Sequence, residues 1–352
     1  MTVVTVPVRP AGDGGLRPLP WRRMAWVSWR HHRIALGGVA VFLGALAVWL
    51  WTAGLQLRHA YAAAIACHPG SSAACQNLIA TFQSTNVILK GGFVLQPVPA
   101  LIGAFVGGPL LAREIETGTF RYAWTQAFGQ RRWTLAKLVL VGVAVAAIAD
   151  AFSVLVSWYY QPYLTSDNGT VFSSPSPLSP GLFDLRGVAF AAWTLAAFAI
   201  GALAGMLVRR VVPAIVATLA AYTGLAFLAS NVLRQHYLTP LVANGSNLPG
   251  SAWITSEWWT KGGQFAFGGR PPINLLQQLC PASFVPGPGG GIAVRGDFSP
   301  TTCLAQHGYV QWSDYQPASH FWPFQWIEGG GLLALSVLLM AITVWLVRRR
   351  VA

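Results

Sequence analysis

With 352 residues, 54% of them hydrophobic and only 9% charged, and a mean hydropathy of +0.50, the chain has too little polar surface to fold as a soluble globule. This is the composition of an integral membrane protein. Its 23 Lys+Arg against 10 Asp+Glu give +13 at pH 7. Every basic cluster flanks an apolar run, so membrane orientation rather than nucleic-acid binding accounts for that charge.

Residues 1–20 are rich in Pro and Gly and carry no periodic pattern. From Trp21 to Arg33, a turn of 100° per residue puts Trp21, Met24, Ala25, Ser28 and Trp29 on one face. Arg22, Arg23, Arg30 and Arg33 fall on the other, with Trp26 out of place. The pattern predicts a helix lying on the membrane surface, with Trp21, Trp26, Trp29 and Arg30 as its interfacial residues. A plain basic flank that orients the next segment is the other reading.

Six runs are apolar for about 20 residues, enough to cross a hydrocarbon core as a helix. They are Ile34 to Ala53, Gly91 to Ala112, Ala136 to Tyr160, Gly187 to Val208, Val211 to Leu233 and Glu328 to Val347. The second contains Gln96, Pro97 and Pro99, which a membrane helix tolerates when neighbours satisfy the freed carbonyls. The first is too long for a signal-peptide core. Sixteen of the 23 basic residues, with Asp13, Glu114 and Glu116, fall before span 1, between spans 2 and 3, between spans 4 and 5, or after span 6. The opposite side holds seven basic and six acidic residues. The positive-inside rule places both termini in the cytoplasm of a plasma-membrane protein.

Cysteine use agrees with that orientation. Cys67 and Cys75 fall in one external loop and Cys280 and Cys303 in another, where an oxidising compartment allows two local disulfides. The largest external segment, 234–327, is too polar and too broken by Pro and Gly to span. A compact cap or a substrate vestibule are both open there. The domain plan is therefore a tail and surface helix (1–33), spans 1 to 5 with a cytoplasmic loop at 113–135 (34–233), an external loop (234–327), and span 6 with a basic end (328–352).

Catalytic signatures are missing. Lys90, Lys137 and Lys261 are the only lysines and none sits in a phosphate-binding loop. None of the four glutamates belongs to a His-Glu-x-x-His motif, and no Gly-x-Ser-x-Gly elbow occurs. We expect no enzyme activity and no cofactor, metal or nucleic acid bound by this chain. Asp150 is the sole acid inside a span and a candidate for a transport pathway; a carboxyl capped by hydroxyls or amides in the bundle is the other reading. Gly103 to Gly107 and Gly201 to Gly205 have the spacing that lets membrane helices approach closely.

The loop after span 2 is the informative one. Thr119 can cap a short amphipathic helix from Phe120 to Phe128, with Gly118 permitting the turn before it and Gly129 ending it. The run Ala112-Arg-Glu-Ile-Glu-Thr-Gly-Thr119, then Trp124-Thr-Gln126 and Arg131-Arg-Trp-Thr-Leu-Ala-Lys137, resembles the permease subunits of type 2 ATP-binding-cassette exporters, especially actinobacterial ones. Trp26-Val-Ser-Trp-Arg-His-His-Arg33 resembles the elbow helix of the same group.

The resemblance implies an all-α integral membrane protein: six transmembrane helices, an N-terminal interfacial elbow helix and a cytoplasmic coupling helix between spans 2 and 3; the large external loop between spans 5 and 6 is longer than is usual in that superfamily. It implies export driven by a separate ATPase subunit, which binds the ATP and magnesium. It also implies two permease chains in the bilayer, as a homodimer or heterodimer. Glu114, Glu116, Gly118, Thr119, Phe120, Arg121 and Trp124 would be the coupling residues. An ATP-independent carrier or channel, or a sensor with a ligand-binding cap, are the alternatives, and nothing in the sequence names a cargo.

Overall fold

A computed structural model describes residues 21–67, 72–85, 95–118, 130–165, 176–245, 247–286, 292–294 and 298–350. Among the described residues, six helices are long and apolar enough to cross a membrane: Gly37–Ala66, Val98–Glu116, Trp133–Pro162, Gly187–Val208, Val211–His236 and Ala318–Val347. The protein is thus a membrane protein, as its composition implied.

Helix α1 runs unbroken from Trp21 to Ala66, 46 residues, about 69 Å at 1.5 Å per residue. That is twice the hydrocarbon thickness, so the helix projects well beyond it. Trp21 to Arg33 is helical but continuous with span 1; the side chains of Trp21, Trp26, Trp29 and Arg30 lie outside the described residues. At the far end α1 meets a disulfide, Cys67–Cys75, with Cα atoms 5.7 Å apart. Helix α2 (Ala73–Thr85) then turns back along α1, with the rings of Tyr61 and Phe82 5.5 Å apart.

Helix α3 (Val98–Glu116) starts directly after Pro97, later than the sequence pattern implied; 91–94 lie outside the described residues. It carries one wide turn at Gly103–Gly107. Helix α4 is Gln130–Thr165, α5 is Gly187–Val208 and α6 is the span Val211–His236. Helix α9 (Phe321–Arg350) is the last. Spans 2 and 4 are central, with 67% of each most apolar window buried, against 17% for span 5.

The contact between α3 and α5 is made by glycine. A Cβ on Gly201 would lie 2.3 Å from the Gly103 carbonyl oxygen and 2.8 Å from the Gly108 nitrogen. One on Gly205 would lie 2.4 Å from the Gly108 oxygen, and one on Gly107 2.5 Å from that of Phe198. The two glycine pairs seen in the sequence therefore face each other, backbone against backbone. Helices α5 and α6 are joined by two residues only. Arg209 takes a left-handed conformation (φ 60°) and its N–H reaches the Gly205 carbonyl at 3.0 Å, closing α5 as glycine usually does.

The expectation of an all-α protein fails between α6 and α9. There a four-stranded antiparallel sheet forms from β1 (Leu241–Asn244), β2 (Trp253–Lys261), β3 (Gln264–Gly268) and β6 (Tyr309–Gln316), in the order β1-β6-β2-β3. A short hairpin pairs β4 (Phe284–Pro286) with β5 (Ile292–Val294). Helices α7 (Ile273–Leu279) and α8 (Pro300–Gln306) complete it. The physical cause is legible: β2 is dense in Trp, Ile and Thr, and Gly262-Gly263, both at positive φ, make the tight turn to β3. Its core packs Trp259 with Leu276 and Leu304, and Cys280–Cys303 joins the end of α7 to α8. Intact mass after alkylation is expected to show no added label without reductant and four labelled cysteines with it; label without reductant would contradict both bridges.

Candidate functional site

On the face that carries most of the arginines, the end of α3 is fastened to two other helices. Lys137 of α4 is 2% exposed; its Nζ donates to the Leu110 carbonyl at 3.1 Å and to the Glu114 carboxylate. Glu116 accepts the backbone N–H of Val211 at 3.1 Å. That N–H belongs to the first turn of α6, where no side chain of the flanking Arg210 caps the helix. A carboxylate there satisfies an orphan donor and sits at the positive end of the helix dipole. Gly118, at φ +70°, sends its N–H to the Ile115 carbonyl at 3.3 Å and ends α3. Thr119, Phe120, Arg121, Trp124 and the expected helix Phe120–Phe128 lie outside the described residues.

The opposite face holds a buried polar cluster that sequence reading missed. Arg234, near the end of α6, is fully enclosed. Its Nε donates to Glu328 at 2.9 Å and its Nη2 to the other Glu328 oxygen at 2.7 Å. The same Nη2 donates to Asp184, on the turn before α5. Glu328 also accepts from Trp193 Nε1 at 2.8 Å and Tyr237 Oη at 3.2 Å, and the guanidinium lies 4.3 Å from the Phe183 ring centre. One cation thus joins α6, α9 and the α5 entry. Nearby, Gln325 of α9 accepts the Ala189 N–H at 2.8 Å and donates to the Phe183 carbonyl at 3.2 Å. Burial, reinforced by Glu328, pushes the Asp184 carboxyl up to about 6 against the pull of Arg234. Arg186, two residues on, is lowered by burial and lies over the Phe321 ring.

Beside this cluster is a cavity of about 430 Å³. Its walls come from the start of α3, the Pro180–Leu185 turn, Trp193 of α5 and the Leu219 to Ser230 stretch of span 5. Asp150 does not line it: that residue is exposed on the outer surface of α4, between Ala147 and Val154. Among the described residues, the one close grouping of metal-ligand types is Cys280, Cys303 and His307, and its two sulfurs are bonded to each other.

The model of the ABC-2 membrane transporter related family matches residues 40–234, more than half of the chain, with all of spans 2 to 4 and nearly all of span 5. The chain belongs to that family. No curated protein and no solved structure matches it. Permeases of this family are membrane components of transporters and not themselves the catalytic subunits. The matched region includes the Lys137, Glu116 and glycine contacts, whereas the β-rich segment and α9 lie beyond it.

Proposed function

We propose that this permease is the membrane subunit of an ABC exporter whose ATP is hydrolysed by a separate ATPase, with the arginine-rich face in the cytoplasm. The observation that carries the reading is the family match across spans 2 to 5; the charge asymmetry supports the orientation. The ATPase would dock on the loop after Gly118, touching Thr119, Phe120, Arg121 and Trp124, with Trp21 to Arg33 flanking it as the elbow. For Glu114 and Glu116 the coupling role would be an indirect one. Their carboxylates already hold Lys137 and the start of α6, so they would pass a displacement of the loop into α4 and α6 rather than meet the ATPase. ATP-driven closure would then shift the bundle between inward-facing and outward-facing states in a pair of permease chains, identical or related.

Gly118→Pro tests this. A prolyl ring fixes φ near −65° and removes the N–H that reaches Ile115, at a site where none of the described residues approaches within 4 Å of an added Cβ. The variant should reach the membrane in normal amount and lose permease-stimulated ATP hydrolysis by the co-expressed ATPase. Full stimulation would count against a coupling role for the loop.

A further inference from the structure

The cavity between α3, α5 and α6 has a mostly apolar wall, with Gln96, Thr223 and Ser230 as neutral polar residues and one charged group, Asp184. Of the neighbouring cluster, Glu328 is 4% exposed and both its oxygens are engaged, and Arg234 is fully enclosed. Asp184 differs. Its side chain is 25% exposed, one oxygen takes Arg234, and the other has no hydrogen bond among the described residues. Two carboxylates against one guanidinium leave the cluster an excess of negative charge, and Asp184 is where it meets the cavity. Trp193 and Tyr222 also line the cavity, their rings edge to face at 5.5 Å. Aromatic rings beside a carboxylate are surroundings that favour a weakly hydrated organic cation. A volume of about 430 Å³ is in the range of small-molecule sites.

We propose that this cavity binds an organic monocation with an apolar body, its charge seated at the Asp184 carboxylate beside Trp193 and Tyr222. A neutral lipid chain would fill the apolar wall but leave that carboxylate desolvated without a counter-charge, and an anion would be repelled by it. The proposal rests on the permease reading, because it names the class of molecule such a permease would move.

The test uses the full-length protein in phosphatidylcholine nanodiscs and equilibrium dialysis of tetraphenylphosphonium, with protein-free nanodiscs subtracted. Tetraphenylborate, of the same shape and opposite charge, is measured separately. Saturable excess binding of the cation is expected, and none of the anion. Asp184→Asn should weaken it about tenfold, the loss of one charge-assisted contact. Thr223→Trp fills the cavity from an exposed position on α6 and leaves the Asp184 to Arg234 pair intact; it should abolish binding, and it decides the matter if Asp184→Asn fails to fold. Binding should also fall from about pH 8 to about pH 5 as Asp184 takes up a proton near 6. The groups that set that titration are Arg234 and Glu328, with the Tyr222 and Tyr237 hydroxyls alongside. No saturable excess, equal binding of the anion, pH-independent binding, or unchanged binding by Thr223→Trp would overturn the proposal. No ATPase takes part, so lost binding with intact ATPase stimulation rejects this site alone. Intact binding with stimulation indifferent to Gly118→Pro rejects the coupling reading alone.

Discussion

Gly201→Val is expected to yield a permease that inserts but does not hold its bundle together. The added Cβ would meet the Gly103 oxygen, the Gly108 nitrogen and the Gly107 carbonyl carbon at 2.3, 2.8 and 3.0 Å. All three are backbone atoms, so no rotamer change relieves the clash and the two central spans must separate along the seam. Overpacking costs about 1–3 kcal/mol in ordinary cores and occasionally more, and a backbone seam lies at the upper end. Gly224→Ala is the control. It is also a span glycine, but nothing lies within 4 Å of its added Cβ, so it should be neutral or slightly stabilising. Thermal unfolding followed by size exclusion in detergent reads both, and equal melting temperatures for the two variants would remove the seam from the account of stability.

Arg234→Met should be comparably damaging for a different reason. It leaves Asp184 and Glu328 facing each other in a buried site without the cation that both contact. Breaking a buried pair from one side costs about 3–5 kcal/mol, because the remaining charge is uncompensated. The sign of the pH dependence separates this cause from loss of packing. The Asp184 carboxyl is already raised to about 6, and removing Arg234 takes away the influence that lowers it. A raised acid stabilises the fold below its ordinary range and loses that contribution as pH climbs through the folded value. The variant should therefore be less impaired near pH 5 than near pH 8, and Arg234→Met with Glu328→Gln should recover part of the loss. An impairment constant across pH, with no recovery in the double variant, would mean that shape and not charge holds the site.

The bundle was legible because lipid imposes a one-dimensional rule. Runs of about 20 apolar residues and the asymmetry of arginine need no knowledge of contacts. The cysteine pairs were legible for a similar reason, each being local in the chain. The Arg234 cluster was not. Arg234 lies 50 residues from Asp184 and 94 from Glu328, and each alone reads as a solvated charge at the rim of a span. Lys137 misled in the same way: counted with the basic loop, it is instead buried between α3 and α4. The sheet is a different case. The Gly262-Gly263 turn and the aromatic run before it were visible, but the Pro and Gly content of the whole segment outweighed them when its polarity was judged only against a membrane span.

The two-residue connection at Arg209 and Arg210 removes slack between α5 and α6. Sliding one past the other by a helical turn, about 5.4 Å, would need chain that the link does not contain. The pair is in effect a single lever, folded back on itself, with α5 sunk in the centre of the bundle and α6 on its outside. Glu116 grips the lever where the two arms join, while the Asp184 cavity lies along its far half. Under the proposed coupling, a push at the grip would move both arms together as far as the wide turn Ala229–Leu233, which lies beside the cavity.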